Sequence, residues 1–246
     1  MIFGRIFCSQ IKVMEWRNQN DFDLRNNLDV WRIYTPDFID KINDEIHVLN
    51  DEEIDKSEAF VQEVDKLRFL VGKIYLKKLL ANYLKIHPKE VEFSFNEYNK
   101  PFLTKLPSLN FNVSHSGDFV VIGFSNRWLV GVDVEVMNTN VDLYSLIYST
   151  MSSVEVHAIL NSESPREMFY NHWTKKEALL KCVGIGLTDS LKDFSVCDGL
   201  NFVPSDLASF VSTWNIRNFV MNDKYSVSVA YDASIRVIRF YELSND

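Results

Sequence analysis

The segment WLVGVDVE at residues 128–135 decides how the chain is organised, because it is a predicted strand at the point where two similar halves would join. Within it, Asp133 and Glu135 alternate with valines. Successive side chains of a strand point to opposite faces, so both carboxylates would project from one face and the valines from the other. The segment therefore predicts one buried apolar face and one face that presents carboxylates.

Alternating apolar residues bounded by turn residues predict further strands on both sides of this segment. They cover residues 1–8, 11–16, 31–35, 91–95, 111–115, 119–125, 194–197, 213–221, 225–231 and 235–241. One helix is predicted from Asn50, as N-cap, to about residue 86, and a second from a capping box at Ser164–Glu167 to about residue 182. This order predicts an α+β fold of two similar halves, residues 1–127 and 128–246. A single α+β domain is the alternative.

The composition limits the classes of function. The chain is 46% hydrophobic and 13% aromatic, which is typical of a protein with a real core, and its net charge is −8. A duplex nucleic-acid binder would need a basic face, so no nucleic-acid partner is expected. Three widely spaced cysteines fit neither a disulfide framework nor a zinc site and favour a reduced, cytoplasmic setting. Lysines interrupt the longest apolar stretch, so no membrane span is expected.

A second motif, WTKKEALLKCVGIGL at residues 173–187, is typical of a helix that ends at glycine. Trp173, Glu177 and Lys181 recur every four residues and would share one helix face. If that face met the acidic face of the strand, three acids and a lysine could hold a divalent cation and a phosphate. The ordinary alternatives are a solvent-facing row of acids on the strand and a surface Glu177–Lys181 ion pair.

The third motif is FNVSHSGD at residues 111–118. A single histidine such as His115 is more often structural than catalytic. Together with Ser114, Ser116 and Gly117, however, it forms a polar loop that could donate several hydrogen bonds to an anion. Asn99-Lys100-Pro101, taken alone, predicts only a turn.

These motifs, in this order, resemble the 4′-phosphopantetheinyl transferases of the surfactin-synthetase-activating type, in the holo-acyl-carrier-protein synthase superfamily. FNVSHS, GVDVE and WTKKEALLKCVGIGL carry the resemblance, with weaker likeness at Lys100-Pro101 and at Arg68 in KLRFLVGK. The family implies transfer of the 4′-phosphopantetheine arm of coenzyme A (CoA) to a serine of an apo acyl or peptidyl carrier protein, with release of 3′,5′-ADP. It also implies a pseudodimer of two α/β halves, each an antiparallel-rich sheet packed with helices, with the active site in the cleft between them. Such a cleft needs no second chain, so a monomer is expected.

The resemblance also implies roles for individual residues. Asp133, Glu135 and Glu177 would hold Mg²⁺, with Mn²⁺ as an alternative, together with the pyrophosphate of CoA. Glu177 would also be the general base for the serine hydroxyl, and Lys181 would neutralise pyrophosphate charge. The other cofactor contacts implied are Lys176 near the pyrophosphate, Ser114 and His115 at the phosphates, Lys100 and Pro101 at the adenine, and Arg68 at the 3′-phosphate.

Three departures from the family pattern concern how CoA and the carrier are held. Asn99 stands where the family often has glycine, so the loop near the adenine could differ in shape. The stretch before Arg68 is mainly acidic and leaves only Lys56 and Lys66 as further candidates for the 3′-phosphate. Residues 137–148 should help to dock the carrier through an apolar patch of Val141, Leu143, Leu146 and Ile147.

Two other functions remain as alternatives. A metal-dependent phosphohydrolase could use the same three acids, although the acidic balance disfavours a polynucleotide substrate. A non-catalytic module that binds CoA or a carrier is the non-enzymatic alternative, against which the intact set of acids argues. Fatty acid, polyketide and nonribosomal peptide carriers are all compatible with the sequence.

Overall fold

Two five-stranded β-sheets lie face to face, and a long helix covers the outer side of each sheet. The computed structural model describes residues 4–19, 21–186, 189–204, 207 and 213–245. The first predicted strand is therefore described only from residue 4, and Leu187, the last residue of the helix motif, lies outside the described residues. The architecture is α+β, as the sequence predicts.

Among the described residues before residue 127 are seven strands and three α-helices. In chain order they are β1 (Gly4–Gln10), β2 (Trp16–Arg17), β3 (Asn27–Tyr34), α1 (Ile42–Glu45), α2 (Asp51–Glu58), α3 (Glu63–Leu84), β4 (Phe93–Phe95), β5 (Pro101–Leu103), β6 (Leu109–Ser116) and β7 (Phe119–Asn126).

After residue 127, the part of the chain that the structure describes contains five strands and three α-helices. They are β8 (Val130–Val136), α4 (Leu143–Thr150), α5 (Ser153–Leu160), α6 (Pro165–Val183), β9 (Gly199–Val203), β10 (Thr213–Met221), β11 (Tyr225–Asp232) and β12 (Val237–Glu242). Short 3₁₀ helices occupy Thr35–Lys41, Ile46–Val48, Pro88–Glu90 and Asp189–Asp193.

The same unit occurs twice: a strand, a long helix and an antiparallel hairpin. In the first sheet, β2-β12-β3-β7-β6, the repeated unit is β3, α3, β6 and β7; in the second, β8-β11-β10-β1-β9, it is β8, α6, β10 and β11. The shared strands have the equivalent orders β3-β7-β6 and β8-β11-β10. Two similar halves are therefore present, as expected of a pseudodimer.

The two ends of the chain cross between the sheets. The N-terminal strand β1 pairs in parallel with β10 of the second sheet, and the C-terminal strand β12 pairs in parallel with β3 of the first. Each sheet thus contains a strand from the other side of residue 127. The division into domains 1–127 and 128–246 stays a prediction. The two sheets do not coincide with these ranges, because β1 and β12 each pair in the sheet of the other range.

Three apolar layers hold the stack together. Helix α3 packs through Ile74 and its apolar neighbours on the outer face of the first sheet. Val132 and Val134 are fully buried between the two sheets, opposite Val121 of β7. Helix α6 covers the outer face of the second sheet, where Leu179 belongs to the same buried cluster as β10 residues. The valines of the GVDVE strand therefore face the other sheet, and its acids face α6.

The helical region predicted from Asn50 to residue 86 is two helices. Asn50 is the N-cap of α2, as predicted, and forms a capping box with Glu53 that was not predicted. However, α2 ends at Glu58 and α3 begins at Glu63. The break lets α2 fold back along α3, where Lys77 forms an ion pair with Glu53 at 2.9 Å. None of the helices within the described residues is both long and apolar enough to cross a membrane.

Other local predictions need correction. The side chain of Ser164 makes no capping hydrogen bond, so α6 begins with Pro165 in its first turn but without the predicted capping box. The predicted strand at 194–197 is irregular because the carbonyls of Phe194 and Val196 accept hydrogen bonds from buried lysines of α6 instead of a neighbouring strand. Of the predicted strand at 11–16, only residue 16 lies in a strand, and α4 and α5 are not predicted.

Candidate active site

The edge strands β6 and β8 belong to different sheets, yet they lie side by side and are joined by side chains of β6. Polar residues at every second position of β6 accept hydrogen bonds from backbone N–H groups at every second position of β8. The three bonds are Val132 N to Asn112 Oδ1 (2.8 Å), Val134 N to Ser114 Oγ (3.3 Å) and Val136 N to Ser116 Oγ (3.1 Å). The FNVSHS motif thus fixes the position of the GVDVE strand across the boundary between the sheets.

The same hydroxyl groups also contact the acids of β8. Ser114 Oγ donates to Asp133 Oδ1 at 2.9 Å, and Ser116 Oγ donates to Glu135 Oε2 at 2.9 Å. A serine hydroxyl has one proton to donate and two lone pairs to accept with. Ser114 uses all three, because it also accepts from Val134 N and from Lys181 Nζ (2.9 Å). The carboxylates are therefore held in fixed orientations.

Helix α6 brings the second motif to the same place. Lys181 Nζ donates to Asp133 Oδ1 at 2.6 Å, and Glu177, one turn earlier, is only 9% exposed. The close contact of α6 with β8 depends on Gly131, because a Cβ atom there would overlap the carbonyl oxygen of Ala178 and the backbone of Cys182. The strand acids and the helix face therefore meet, as the spacing of the two motifs predicts.

Burial raises the pKa values of all three acids, and repulsion adds to the rise at Glu135 and Glu177. Desolvation raises the pKa of Asp133, against the opposing effect of Lys181. Desolvation, followed by the charge of Asp133, raises the pKa of Glu135. Desolvation, with the charges of Asp133 and Glu135, raises the pKa of Glu177 to about 7, despite the nearby Lys181. The cluster is short of positive charge.

Two carboxylate oxygens show where a cation would fit. Asp133 Oδ2 and Glu177 Oε1 are buried and have no hydrogen-bond partner among the described residues. Buried oxygens with an excess of negative charge suit a hard cation such as Mg²⁺, which prefers oxygen ligands. Within the described part of the chain, however, no three His, Cys, Asp or Glu side chains already have the geometry of a metal site. The donors fit such a cation, although they are not arranged as a complete set of ligands.

Positive charge gathers on the side of the cluster that FNVSHS forms. Partial desolvation of the imidazole, followed by the charges of Arg68 and Lys181, lowers the pKa of His115. Arg68 donates from Nη2 to Asp65 at 2.6 Å, and its buried Nε has no hydrogen-bond partner within the described residues. His115 and Arg68 therefore lie in a positive field with an unused donor, which suits an anion.

Lys100 and Pro101 line a cavity of about 160 Å³ together with Lys181. Within it, the ammonium of Lys100 bonds to the helix rather than pointing into free space: it donates to the carbonyls of Lys181 (2.6 Å) and Cys182 (3.0 Å), and burial lowers its pKa. Asn99 has a positive φ of 59°. Asparagine tolerates this left-handed conformation, so the loop keeps a backbone shape that glycine would allow.

The structure does not bring Lys176 to the cluster. Its ammonium is fully buried in an ion pair with Glu155 at 2.7 Å, which is equally buried, and it also donates to the carbonyls of Leu191 and Phe194. Consecutive helical residues point about 100° apart, so Lys176 cannot share the face of Glu177 and Lys181. It joins α6 to α5 and to the segment after the helix.

Asn112 was missed by sequence reasoning, although polar residues at 112, 114 and 116 mark one face of β6.

Comparisons with known proteins match most of the chain. A family model described as the N-terminal part of 4′-phosphopantetheinyl transferases matches residues 35–126, and one described as the 4′-phosphopantetheinyl transferase superfamily matches residues 129–230. The chain is similar to a 4′-phosphopantetheinyl transferase of Bacillus subtilis, with 30% identity over 182 residues, covering 72% of this chain and 80% of the relative.

Two further relatives give the same result. The chain is 26% identical to the 4′-phosphopantetheinyl transferase HetI of Nostoc sp. over 214 residues, covering 84% of this chain and 88% of the relative. It is 33% identical to a putative 4′-phosphopantetheinyl transferase of Synechocystis sp. over 148 residues, covering 58% of this chain and 60% of the relative.

Proposed function

The chain belongs to the 4′-phosphopantetheinyl transferase superfamily and is an enzyme of that family, and we propose that it moves the 4′-phosphopantetheine arm of CoA onto a serine of an apo carrier protein. The reaction releases 3′,5′-ADP and depends on Mg²⁺. The observation that carries the proposal is the meeting of Asp133, Glu135, Glu177 and Lys181 at one buried cluster with two unsatisfied carboxylate oxygens.

In this proposal Asp133, Glu135 and Glu177 hold the metal ion. Bound Mg²⁺ supplies Lewis-acid polarisation and charge neutralisation at the pyrophosphate of CoA. Ser114 and Ser116 orient two of the acids through the hydrogen bonds described above. Lys181 neutralises Asp133 and stands beside the cavity, where its ammonium can also contact a phosphate oxygen. Positioning and charge stabilisation are the main contributions expected of the protein in phosphoryl transfer.

Glu177 is the proposed general base. A serine hydroxyl is a weak nucleophile unless a base in hydrogen-bond range takes its proton. Burial and the neighbouring acids raise the pKa of Glu177 to about 7, close to the value at which a carboxylate serves best as a base near neutral pH. Its unsatisfied Oε1 gives it a free acceptor for that proton, either directly or through a water molecule.

The adenosine end of CoA is proposed to lie on the first half of the chain. Asn99 and Pro101 line the 160 Å³ cavity beside Lys181, and His115 and Arg68 provide the positive field for phosphate. Because Lys100 bonds to the end of α6, its aliphatic stem rather than its charge would face the adenine.

Several lysines around one cavity are proposed to complete recognition of the 3′-phosphate. A cavity of about 460 Å³ between α2, α3 and β4 is lined by Phe69, the residue next to Arg68, and by four lysines: Lys56, Lys73, Lys77 and Lys89. Lys73 lies 5.0 Å above the ring of Phe93 and 3.9 Å from Glu53, and burial lowers its pKa. Among the described residues this partly buried ammonium has only the long ion pair with Glu53, so it favours a further anionic ligand.

The carrier protein is proposed to dock near α4. Ile147, one of the apolar residues expected there, is buried, and Leu143 is partly buried in the same cluster. Leu146, another of the expected residues, is exposed (37%), and Tyr144 (64%) and Tyr148 (55%) add exposed aromatic surface beside it. Aromatic residues of this kind are enriched in the centres of interfaces.

A transfer assay tests the proposed function. The protein is incubated with CoA, Mg²⁺ and each of several apo carriers from fatty acid, polyketide and nonribosomal peptide systems, and every carrier is weighed by mass spectrometry. At least one carrier should gain the mass of one phosphopantetheine group, and chelation of the metal should prevent the gain. Breakdown of CoA in the absence of any carrier would support a phosphohydrolase instead.

A further inference from the structure

Cys197 and His172 form a thiol–imidazole pair on the side of α6 that faces away from the acid cluster. Cys197 Sγ lies 3.6 Å from His172 Nε2, within the range of a sulfur hydrogen bond. Both side chains line a cavity of about 160 Å³, together with Lys175 and Asp198. Cys197 is half-buried, so its sulfur can be approached from this cavity.

A backbone carbonyl determines which ring nitrogen of His172 carries the proton, and the unprotonated nitrogen faces the sulfur. His172 Nδ1 lies 2.7 Å from the carbonyl oxygen of Met168. A carbonyl can only accept a hydrogen bond, so Nδ1 carries the proton and Nε2 of the neutral ring has a free lone pair. His172 is only 5% exposed, and desolvation lowers its pKa, which keeps the ring neutral near pH 7. The thiol proton of Cys197 therefore has an acceptor in place.

Further polar groups surround the sulfur and the imidazole. Ser195 Oγ lies 3.3 Å from Cys197 Sγ and donates to it. Lys175, buried beside the pair, bonds to Asp198 at 2.7 Å. The other charged groups facing His172 are Glu155 and Lys176, which form a closed ion pair. A nucleophile within hydrogen-bond range of a base, with the base oriented by a third group, is the arrangement that activates thiols.

The other two cysteines have no such arrangement. Cys8 and Cys182 are fully buried, and burial raises the pKa of each thiol to about 12. Thiols of that kind are inert, because the thiolate is the reactive form. The three cysteines of the chain therefore provide one reactive candidate and two internal controls.

We propose that Cys197 is a modification site that forms a mixed disulfide with low-molecular-mass disulfides, with His172 as its base. His172 Nε2 takes the proton from Sγ, and the thiolate attacks one sulfur of the incoming disulfide. A new bond forms between Cys197 Sγ and that sulfur while the original S–S bond breaks. The second sulfur leaves as a thiolate and takes the proton from His172, so one thiol and one disulfide give one mixed disulfide and one thiol.

Mass spectrometry of peptides from the full chain tests the site. The native protein is treated with bis(hydroxyethyl) disulfide, a small neutral probe, and the adduct on each cysteine is followed with time. Cys197 should be modified while Cys8 and Cys182 stay free. His172→Gln should slow modification of Cys197 by at least about tenfold. His157→Gln, which changes an exposed histidine on α5, should leave the rate unchanged.

Equal rates in the parent and in His172→Gln, or similar modification of all three cysteines, would overturn the proposal. If His172→Gln does not fold, a second measurement decides without it. The rate constant of Cys197 is compared in the folded protein and in the urea-unfolded chain at the same pH. A faster reaction in the folded protein is expected, and a slower one would refute activation by the fold.

Discussion

The ammonium of Lys181 lies 2.6 Å from Asp133 Oδ1 and joins the helix of one motif to the strand of another. Ser114, from the third motif, bonds to both of them at 2.9 Å. All three motifs therefore meet at one carboxylate, which is almost fully buried. Changes at this junction should affect metal binding and transfer together.

Metal binding should depend on Asp133. A cation that binds the folded protein alone raises its stability, by about 2.7 kcal/mol at a hundred times the dissociation constant. Mg²⁺ should therefore raise the Tm of the parent, and Asp133→Asn should remove most of that rise. The measurement is thermal unfolding with and without Mg²⁺. Asp55→Asn, an exposed aspartate of α2, should keep the full rise, and an undiminished rise in Asp133→Asn would exclude Asp133 as a ligand.

The stability of the metal-free protein should depend on pH through Glu177. Its pKa is about 7 in the folded state, against 4.5 for an unperturbed group, so the folded state binds more protons between these values. Stability should therefore fall as pH rises through that window, by a contribution on the order of 3 kcal/mol that is complete above the folded pKa. Glu177→Gln cannot ionise and should escape this loss.

Urea unfolding at pH 5 and pH 8 measures this effect. Without metal, Glu177→Gln should be more stable than the parent at pH 8, and the advantage should shrink towards pH 5. A variant that is less stable than the parent at pH 8 would contradict the raised pKa of Glu177, which burial causes first and the neighbouring acids second.

Recognition of the 3′-phosphate should depend on Lys73. A hydrogen bond from an ammonium to a phosphate contributes about 1.5–3 kcal/mol, so Lys73→Met should raise the KM for CoA by at least about tenfold. The KM for 3′-dephospho-CoA should stay unchanged, because that substrate lacks the phosphate. Lys192→Met, an exposed lysine of the second half, is the matched control. Equal effects on both substrates would place the 3′-phosphate elsewhere.

The contact between α6 and β8 should tolerate no side chain at residue 131. Gly131→Ala would push a Cβ into the Ala178 carbonyl and the Cys182 backbone, so we expect a loss of more than about 4 kcal/mol in the free energy of unfolding. Gly72→Ala, within helix α3, is the matched control. Its Cβ would make only an ordinary contact of 3.5 Å with Val120 of β7. Denaturant unfolding should separate the two variants clearly, and similar values for both would contradict the close packing.

The sequence predicts the repeated strand and helix pattern well because periodicity depends on burial of one face. The alternation of valine and acid in β8 corresponds to Val132 and Val134 between the sheets and Asp133 beneath α6. Strand β10 matches its predicted bounds, from Thr213 to Met221, and its burial alternates from Thr213 to Asn218.

Other features depend on contacts between distant segments and leave no periodic signal. The exchange of β1 and β12 between the sheets is set by pairing across the whole chain. The family resemblance implied a place for Lys176 near the pyrophosphate, but helix geometry turns it towards Glu155, which the sequence places more than twenty residues away. The Cys197–His172 pair is also formed only by tertiary packing.

Transfer to an apo carrier by two glutamine variants of α6 is the decisive measurement. Glu177→Gln should lower kcat by roughly 10²–10⁴-fold, the range for loss of a general base, while circular dichroism shows a folded protein. Glu167→Gln, an exposed glutamate of the same helix, should transfer at the parental rate. Parental turnover by Glu177→Gln would contradict the proposed mechanism and remove this glutamate from the reaction.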